Sequence, residues 1–366
     1  MKYKLVLLLF FINLNSLLFS QEFRDKVSNE KISFVEIYSD KGNLIGITDV
    51  DGLLSIDLKN KIMASNSMYL TFVNSFFENE VIGIDDFYDG AVFKMNPIVN
   101  ELKEIVISPK KDKNQYLVLK TYVRSLQINN NKIHYFMDGI VEYYISLKTN
   151  KVKIKFLSNR SFENKSISQL KEKGLAKIYF QIIGAPIINE FLNYNNLQEN
   201  YNFQKAETEI KIITKEDNSL KGNFFTNESG ANLSLGIITN DKPKVMKGLG
   251  LENILNNFNI KSHFNTTAFE EIGINTLFYF KETRNYEIKA KKDKEYQKVD
   301  VIHEVFVLDY RFSERIDAKK MDNNYSFINS SSYTEKYWEN VENQLFQPLP
   351  KSLELYIQEN LTEIKK

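Results

Sequence analysis

Between Ile32 and Ile107 apolar and polar residues alternate in short runs, at 32–38, 43–49, 53–58, 68–73, 77–84, 91–95 and 103–107. Period-two alternation broken at short intervals by turn residues is the pattern of a small all-β sandwich, and it predicts about seven strands. Asp40-Lys41-Gly42-Asn43 and Asp49-Val50-Asp51-Gly52 supply the turns, their acidic side chains closing on the backbone and their glycines admitting positive φ. The polar, proline-led stretch 109–114 then reads as a linker.

Beyond the linker the pattern changes. Leu117, Leu119, Tyr122, Val123 and Leu126 fall at helical spacing over 115–127, and strand-like runs follow at 133–147 and 151–157. Residues 166–193 read as helical, broken at Gly184-Ala185-Pro186, where proline ends or kinks a helix. Further strands are expected at 208–214, 232–239, 274–280, 285–290 and 300–310, with a helix at 248–258. Thr334 is the expected N-cap of a helix carrying Tyr337, Trp338, Val341 and Leu345, and Pro348 and Pro350 separate it from a last helix with Leu353, Ile357, Leu361 and Ile364. The expected architecture is an all-β sandwich at 21–108 followed, over 115–366, by an α+β domain with a mainly antiparallel sheet.

Composition adds the compartment. Lys2 and Lys4 precede an apolar run from Leu5 to Ile12, and Leu18-Phe19-Ser20 ends on a small residue, which predicts a secretory signal peptide over 1–20. Asn13 and Asn15 stop the run well short of the roughly 20 residues of a spanning helix. The best later candidate, Leu175 to Leu192, contains Lys177, Gln181, Asn189 and Glu190, so no transmembrane helix is expected in the mature chain. With no cysteine there is neither a disulfide framework nor the modified cysteine of a lipoprotein. Net charge is +1, with 48 basic and 47 acidic residues interleaved, so the basic footprint that nucleic acid requires is missing.

Phe34-Val35-Glu36-Ile37, Gly42 to Gly46, Thr48-Asp49-Val50-Asp51-Gly52 and Leu54-Ser55-Ile56 resemble the carboxypeptidase regulatory-like domain, whose pattern runs from an apolar strand through a Gly-Thr-Thr-Asp-x-(Asp/Glu)-Gly turn to a Phe-x-Ile strand. Tyr69-Leu70-Thr71-Phe72 stands where that family has Leu-x-Phe-Ser, and Leu102 to Ile107 resembles its closing Leu-x-Glu-Val-Val-Val. Ile32-Ser33 in place of Gly-Ala, and Phe76-Phe77 in place of Gly-Tyr, depart from the pattern. The resemblance covers residues 25–108 and implies a transthyretin-like sandwich without catalytic residues, of the kind found at the N-terminus of exported Gram-negative envelope proteins. Ile105-Val106-Ile107 also resembles the segment before a TonB-dependent receptor plug, but the residues that follow are too few for a plug and its barrel.

Candidate chemistry fails on spacing. His134, His263 and His303 are the only histidines, and none sits one helical turn from another, so no zinc site is expected. Asp49 and Asp51, like Asp85, Asp86 and Asp89, lack the alternate positions of a calcium loop and read as turn residues. Ser28-Asn29-Glu30-Lys31 matches Ser-x-x-Lys without companion motifs, and neither Ser229-Gly230 nor Ser234-Leu235-Gly236 completes a nucleophile elbow. Asp138 and Glu142 form a carboxylate pair that, on a strand, is expected to line a solvated face. No catalytic, cofactor or metal residue is therefore assigned, and the chain is read as a non-enzyme.

The aromatic residues are the strongest binding signal. Tyr135, Phe136, Tyr143 and Tyr144, then Phe224 and Phe225, then Phe278-Tyr279-Phe280, place rings on both faces of strands. Covering helices explain this, or an apolar groove for a lipid, glycan or protein. The expected function is an exported periplasmic or outer-membrane-associated binding or scaffold protein with an envelope protein or glycan as partner; the rivals are a carrier of a lipid-like ligand and an unrecognised enzyme.

Overall fold

The computed structural model describes residues 21–98, 115–168, 183–188, 192–206, 209–227, 230–239, 242–248, 250–291, 293–316, 321, 330–341 and 348–365. The chain divides into two compact units, the first reaching Ile98 and including Leu349–Glu354, the second comprising most of the remainder. The expected linker at 109–114 and strand at 103–107 lie outside the described residues.

In the first unit β2 (Glu36–Ser39), β3 (Leu44–Ile47), β4 (Tyr69–Asn74) and β5 (Phe77–Gly83) form an antiparallel sheet in the order β3-β2-β4-β5. β1 (Glu22–Asp25) and β6 (Val92–Met95) pair in parallel as a second, two-stranded sheet. Phe23 and Phe93 from the small sheet share one core with Val35, Ile37, Leu70 and Phe72 from the large one. The expected strand at 53–58 is instead the lead-in to a helix, α1 (Ile56–Ala64). Leu54 and Ile56 alternate like a strand, but Ser55 caps the helix by accepting from the Leu58 N–H at 3.1 Å, Asp57 favours its first turn, and Leu58 and Ile62 bury one face. Gly52 closes the preceding turn at φ +68°, where a side chain would be strained.

The second unit has the mainly antiparallel sheet expected of it and is richer in strand than the expected α+β domain. Twelve strands form one antiparallel sheet: β7 (Tyr116–Asn129), β8 (Lys132–Ser146), β9 (Val152–Glu163), β10 (Tyr201–Lys205), β11 (Glu209–Thr214), β12 (Leu220–Asn227), β13 (Gly230–Ile238), β14 (Lys244–Gly248), β15 (Leu251–Phe264), β16 (Leu277–Ala290), β17 (Gln297–Ser313) and β18 (Thr362–Glu363). Their order is β10-β11-β12-β13-β15-β16-β17-β7-β8-β9-β18, with β14 on β15. Most pairings join strands consecutive in sequence; the exceptions are β13 with β15, β17 with β7 and β18 with β9.

The helix expected at 115–127 is β7, hydrogen-bonded on both sides to β17 and β8. Val118 and Leu119 are both fully buried, so the strand hides both faces and its alternation disappears. The helix expected at 248–258 is part of β15, where a bulge between Leu255 and Asn257 breaks the alternation. The strands expected at 274–280 and 285–290 are one continuous β16. Of the helical region at 166–193, Lys165–Ser168 is a short helix (α2), residues 183–188 are not helical, and 169–182 lie outside the described residues. Tyr194–Asn200 forms α3 and Tyr337–Val341 forms α4, with Thr334 too far upstream to cap it. Lys351–Asn360 forms α5, with Leu353 and Ile357 buried. Among the described residues no helix is long and apolar enough to cross a membrane.

One face of the large sheet carries a continuous apolar core, from Ile154 on β9 through Val123, Val305 and Phe280 to Phe224 on β12. Ile183, Ala185 and Ile188 lie on this face and belong to the same core.

Candidate functional site

Successive residues of a strand point to opposite faces, and the register turns this into two polar rows, back to back on the same strands. On β17, Glu304 stands opposite Arg124 of β7 and Lys281 of β16, on the outer face. One residue earlier, His303 stands opposite Ser125 and Glu282, on the face that carries the apolar core.

The outer row is a ladder of closed ion pairs. Arg124 Nη2 lies 2.9 Å from Glu304 Oε2, Lys281 Nζ lies 3.8 Å from Oε1, and the Tyr279 hydroxyl donates to Oε1 at 2.9 Å. Burial would push the Glu304 carboxyl up, but Arg124, Lys281 and Tyr279 together hold it below the ordinary carboxylate value. The Arg124 guanidinium also sits 4.9 Å over the Phe306 ring. Two strands away Asp138, wholly buried, takes both prongs of Arg160 and accepts from Tyr122 at 3.1 Å and Tyr337 at 2.8 Å. Arg160 is stacked 3.9 Å over Trp338. Glu142 accepts from Tyr144 and from Arg311, each at 2.6 Å. Asp138 and Glu142 therefore line no solvated face: both are buried, because aromatic and basic neighbours on adjoining strands enclose them.

The inner row is sparsely compensated. Arg284 Nη2 pairs with Glu282 Oε2 at 2.9 Å, and His303 Nε2 lies 3.8 Å from Glu282 Oε1, beyond a hydrogen bond. Burial raises the Glu282 carboxyl, with Arg284 opposing. Burial, and then Arg284, pushes the His303 imidazole down to about 3, so it is neutral at ordinary pH. The Tyr143 phenol is raised by burial and by Glu282. Across this row lies the extended segment 183–188, whose Gly184 N–H donates to Ser125 Oγ at 3.1 Å. Ser, His and a carboxylate in cross-strand sequence are the residue set of an acyl-transfer triad, but they are not assembled as one. His303 Nδ1 has no hydrogen-bond partner, and Ser125 Oγ is occupied by Gly184.

The remaining candidates are dispersed. His134 sits in a bulge of β8, its Nδ1 2.9 Å from Asn129, and burial pushes it down to about 4. His263 Nδ1 meets Asn232 at 2.7 Å on β15. Among the described residues no three His, Asp or Glu side chains gather as metal ligands. Asp49 Oδ1 accepts from the N–H groups of Asp51 and Leu53, a turn as expected, and Asp89 pairs with Lys59 at 3.4 Å. Ser28 accepts from Glu30 N–H within a turn, and Ser234 is buried within β13, while Ser229 lies outside the described residues. Ser125, Glu282, Arg284, Arg124 and Arg160 carry no local motif; the pairing of β7 with β17 brings the first four into rows, and that of β8 with β9 sets Arg160 opposite Asp138.

Comparison with family models gives no match, and comparison with curated proteins gives none either.

Proposed function

We propose that the chain is an exported, non-enzymatic cell-envelope binding or scaffold protein. In this reading residues 1–20 are its export signal, the first unit is a carboxypeptidase regulatory-like docking module, and the second unit is the body that contacts the partner. The observation that carries it is the state of the ionisable groups: Asp138, Glu142 and Glu304 are each closed on an arginine and a tyrosine. A general acid or base must be free to exchange its proton with a substrate, whereas neighbours hold Glu142 and Glu304 below the ordinary carboxylate value and both oxygens of Asp138 are taken up by hydrogen bonds. The test is photo-crosslinking in the producing cells from the exposed positions Leu157 and Tyr333. Discrete adducts with an envelope protein or glycan are expected; a chain retained in the cytosol with Met1 intact would sink the reading.

A second reading, a carrier for a lipid-like ligand, is favoured by the continuous apolar face of the large sheet. Its described cover is short: residues 183–188, with Leu197 of α3, and Phe269 and Ile272 from the turn before β16.

A further inference from the structure

Charge is balanced along the chain but not at one end of the large sheet. Residues 143–155 hold Lys148, Lys151, Lys153 and Lys155 and no acidic residue. The register sets Lys155, Glu142, Lys120 and Asp309 in one cross-strand line over β9, β8, β7 and β17. From that line to the β8-β9 turn, residues 115–120, 142–155 and 309–316 carry seven basic side chains against Glu142, Asp309 and Glu314. The surplus of four exceeds the +1 of the whole chain. Lys120, Lys148, Lys151 and Lys153 are exposed and Lys155 is half-buried, and none of the five makes an ion pair among the described residues. Glu142, opposite Lys155, already accepts from Arg311 and Tyr144. Lysines on an outlying strand also deter pairing with another chain. That accounts for Lys153 and Lys155 on β9, but Lys120 lies two strands inward and Lys148 lies in the turn.

We propose that this lysine patch is a docking surface for an anionic lipid bilayer, on which the chain sits as a peripheral protein. The inference rests on the envelope reading and names the surface the chain meets. The choice of residue decides among anionic partners. Protein interfaces draw on arginine and aromatic side chains and are depleted of lysine. Here five of the seven cations are lysines, and Arg311 is closed on Glu142 and Tyr144. An ammonium is a mobile point charge that needs no fixed geometry opposite it, which suits a fluid layer of phosphate groups. Each lysine near such a surface adds about fivefold in affinity. The spacing also fits an extended surface: Lys120 and Lys155 stand two strands apart, roughly 10 Å, and Lys153 follows two residues along on the same face. Beside them Leu157, at the bulge of β9, is 41% exposed and offers an apolar side chain to the interface.

The test is co-sedimentation of the mature chain, residues 21–366, with vesicles of phosphatidylcholine alone or mixed equally with phosphatidylglycerol. Binding is expected to the anionic vesicles only, and to disappear at about 1 M salt, where the Debye length falls to roughly 3 Å. Lys120→Gln, Lys153→Gln and Lys155→Gln are each expected to weaken it about fivefold. Lys291→Gln and Lys294→Gln, in the turn at the opposite end of β17, should change it less than twofold. The chain has no cysteine, so Leu157→Cys and Met246→Cys, both at positions 41% exposed, each accept a single nitrobenzoxadiazole label. Anionic vesicles should shift the emission of the Leu157 label to the blue and leave that of the Met246 label, at the far end of the sheet, unchanged. Equal binding to both vesicles, no binding to either, loss of binding in the Lys291 and Lys294 variants, or a response from the Met246 label alone would each overturn the docking surface. Retention on immobilised polyglutamate without binding to vesicles would also overturn it and assign the patch to an acidic protein. Export is decided separately, in cells and at the N-terminus, so either reading can fail without the other.

Discussion

Replacing Asp138 by Ala should open the most heavily bonded point of the outer face. Its carboxylate receives both prongs of Arg160 and the hydroxyls of Tyr122 and Tyr337, and none of it is exposed. Removing one partner of a buried pair leaves the other charge uncompensated, which costs about 3–5 kcal/mol. The two orphaned hydroxyls add less, because a relaxed side chain finds water where a guanidinium pinned on Trp338 does not. For a unit of this size about 3–5 kcal/mol corresponds to a drop in Tm of roughly 6–20 °C. Trp338 is the only tryptophan in the chain and it packs on Arg160, Tyr333 and Tyr337, so its fluorescence reads this region directly during urea unfolding. A double substitution with Arg160→Met should recover part of the loss, since it removes the stranded charge. If D138A moves the Trp338 transition by less than about 1 kcal/mol, the clamp contributes no more than an exposed ion pair and the reasoning fails.

Three further outcomes follow from other parts of the fold. His134 and His303 have folded values near 4 and near 3, both below the ordinary imidazole value because of burial. The unfolded chain therefore binds more protons than the folded one below about pH 6.5, and stability complete above that pH declines as pH falls, by roughly 2 kcal/mol per histidine at pH 5. Urea midpoints at pH 7.5 and 5.0 should show the decline, and His134→Gln with His303→Gln should flatten it; an unchanged slope in the double variant would refute the assignment. Gly222→Ala would set a Cβ 2.0 Å from the Ser234 carbonyl oxygen, forcing β12 from β13 at about 1–3 kcal/mol, whereas Gly248→Ala meets nothing within 4 Å and should stay within about 0.5 kcal/mol in thermal melts. Tyr143→Phe removes a buried hydroxyl that has no partner, so the ligand-free chain should melt at the same or a higher temperature, and a clear loss would mean the hydroxyl is bonded after all.

What the sequence disclosed depended on how many faces each strand hides. The strands at 133–147, 151–157, 208–214, 232–239 and 300–310 were legible from turn residues and β-branched runs; the structure lengthens the second and the last and moves the ends of the others by one or two residues. β7 was not legible: Leu119, Tyr122, Val123 and Leu126 imitate a helical face because Val118 and Leu126 are as buried as Leu119 and Val123. The helix α1 was masked by the alternation of Leu54 and Ile56, although Ile56 is 78% exposed and Ser55 with Asp57 are ordinary helix-start residues. The rings on both faces were legible, and they separate as alternation requires, Tyr143 inward and Tyr144 outward beside Glu142. The two polar rows were hidden, because each is assembled from β7, β16 and β17, which meet only through the closure of β17 onto β7.

That closure is held by chemistry as well as by shape. His303 and Glu304 are neighbours in sequence but occupy opposite electrostatic environments, the glutamate held ionised by Arg124, Lys281 and Tyr279, the histidine held neutral by an apolar interior. A one-residue slip of β17 would exchange the faces. Glu304 would enter the hydrocarbon side with only Arg284 near by, while Arg124 would face an imidazole with no charge to offer. Hydrophobic alternation alone could not penalise that slip, since Ile302, Val305, Phe306 and Val307 are buried on both faces and would be buried again. The outer ladder therefore fixes the register that sets Ser125, His303 and Glu282 side by side, and the sparsely compensated inner row exists because the compensated outer row holds its strands in place.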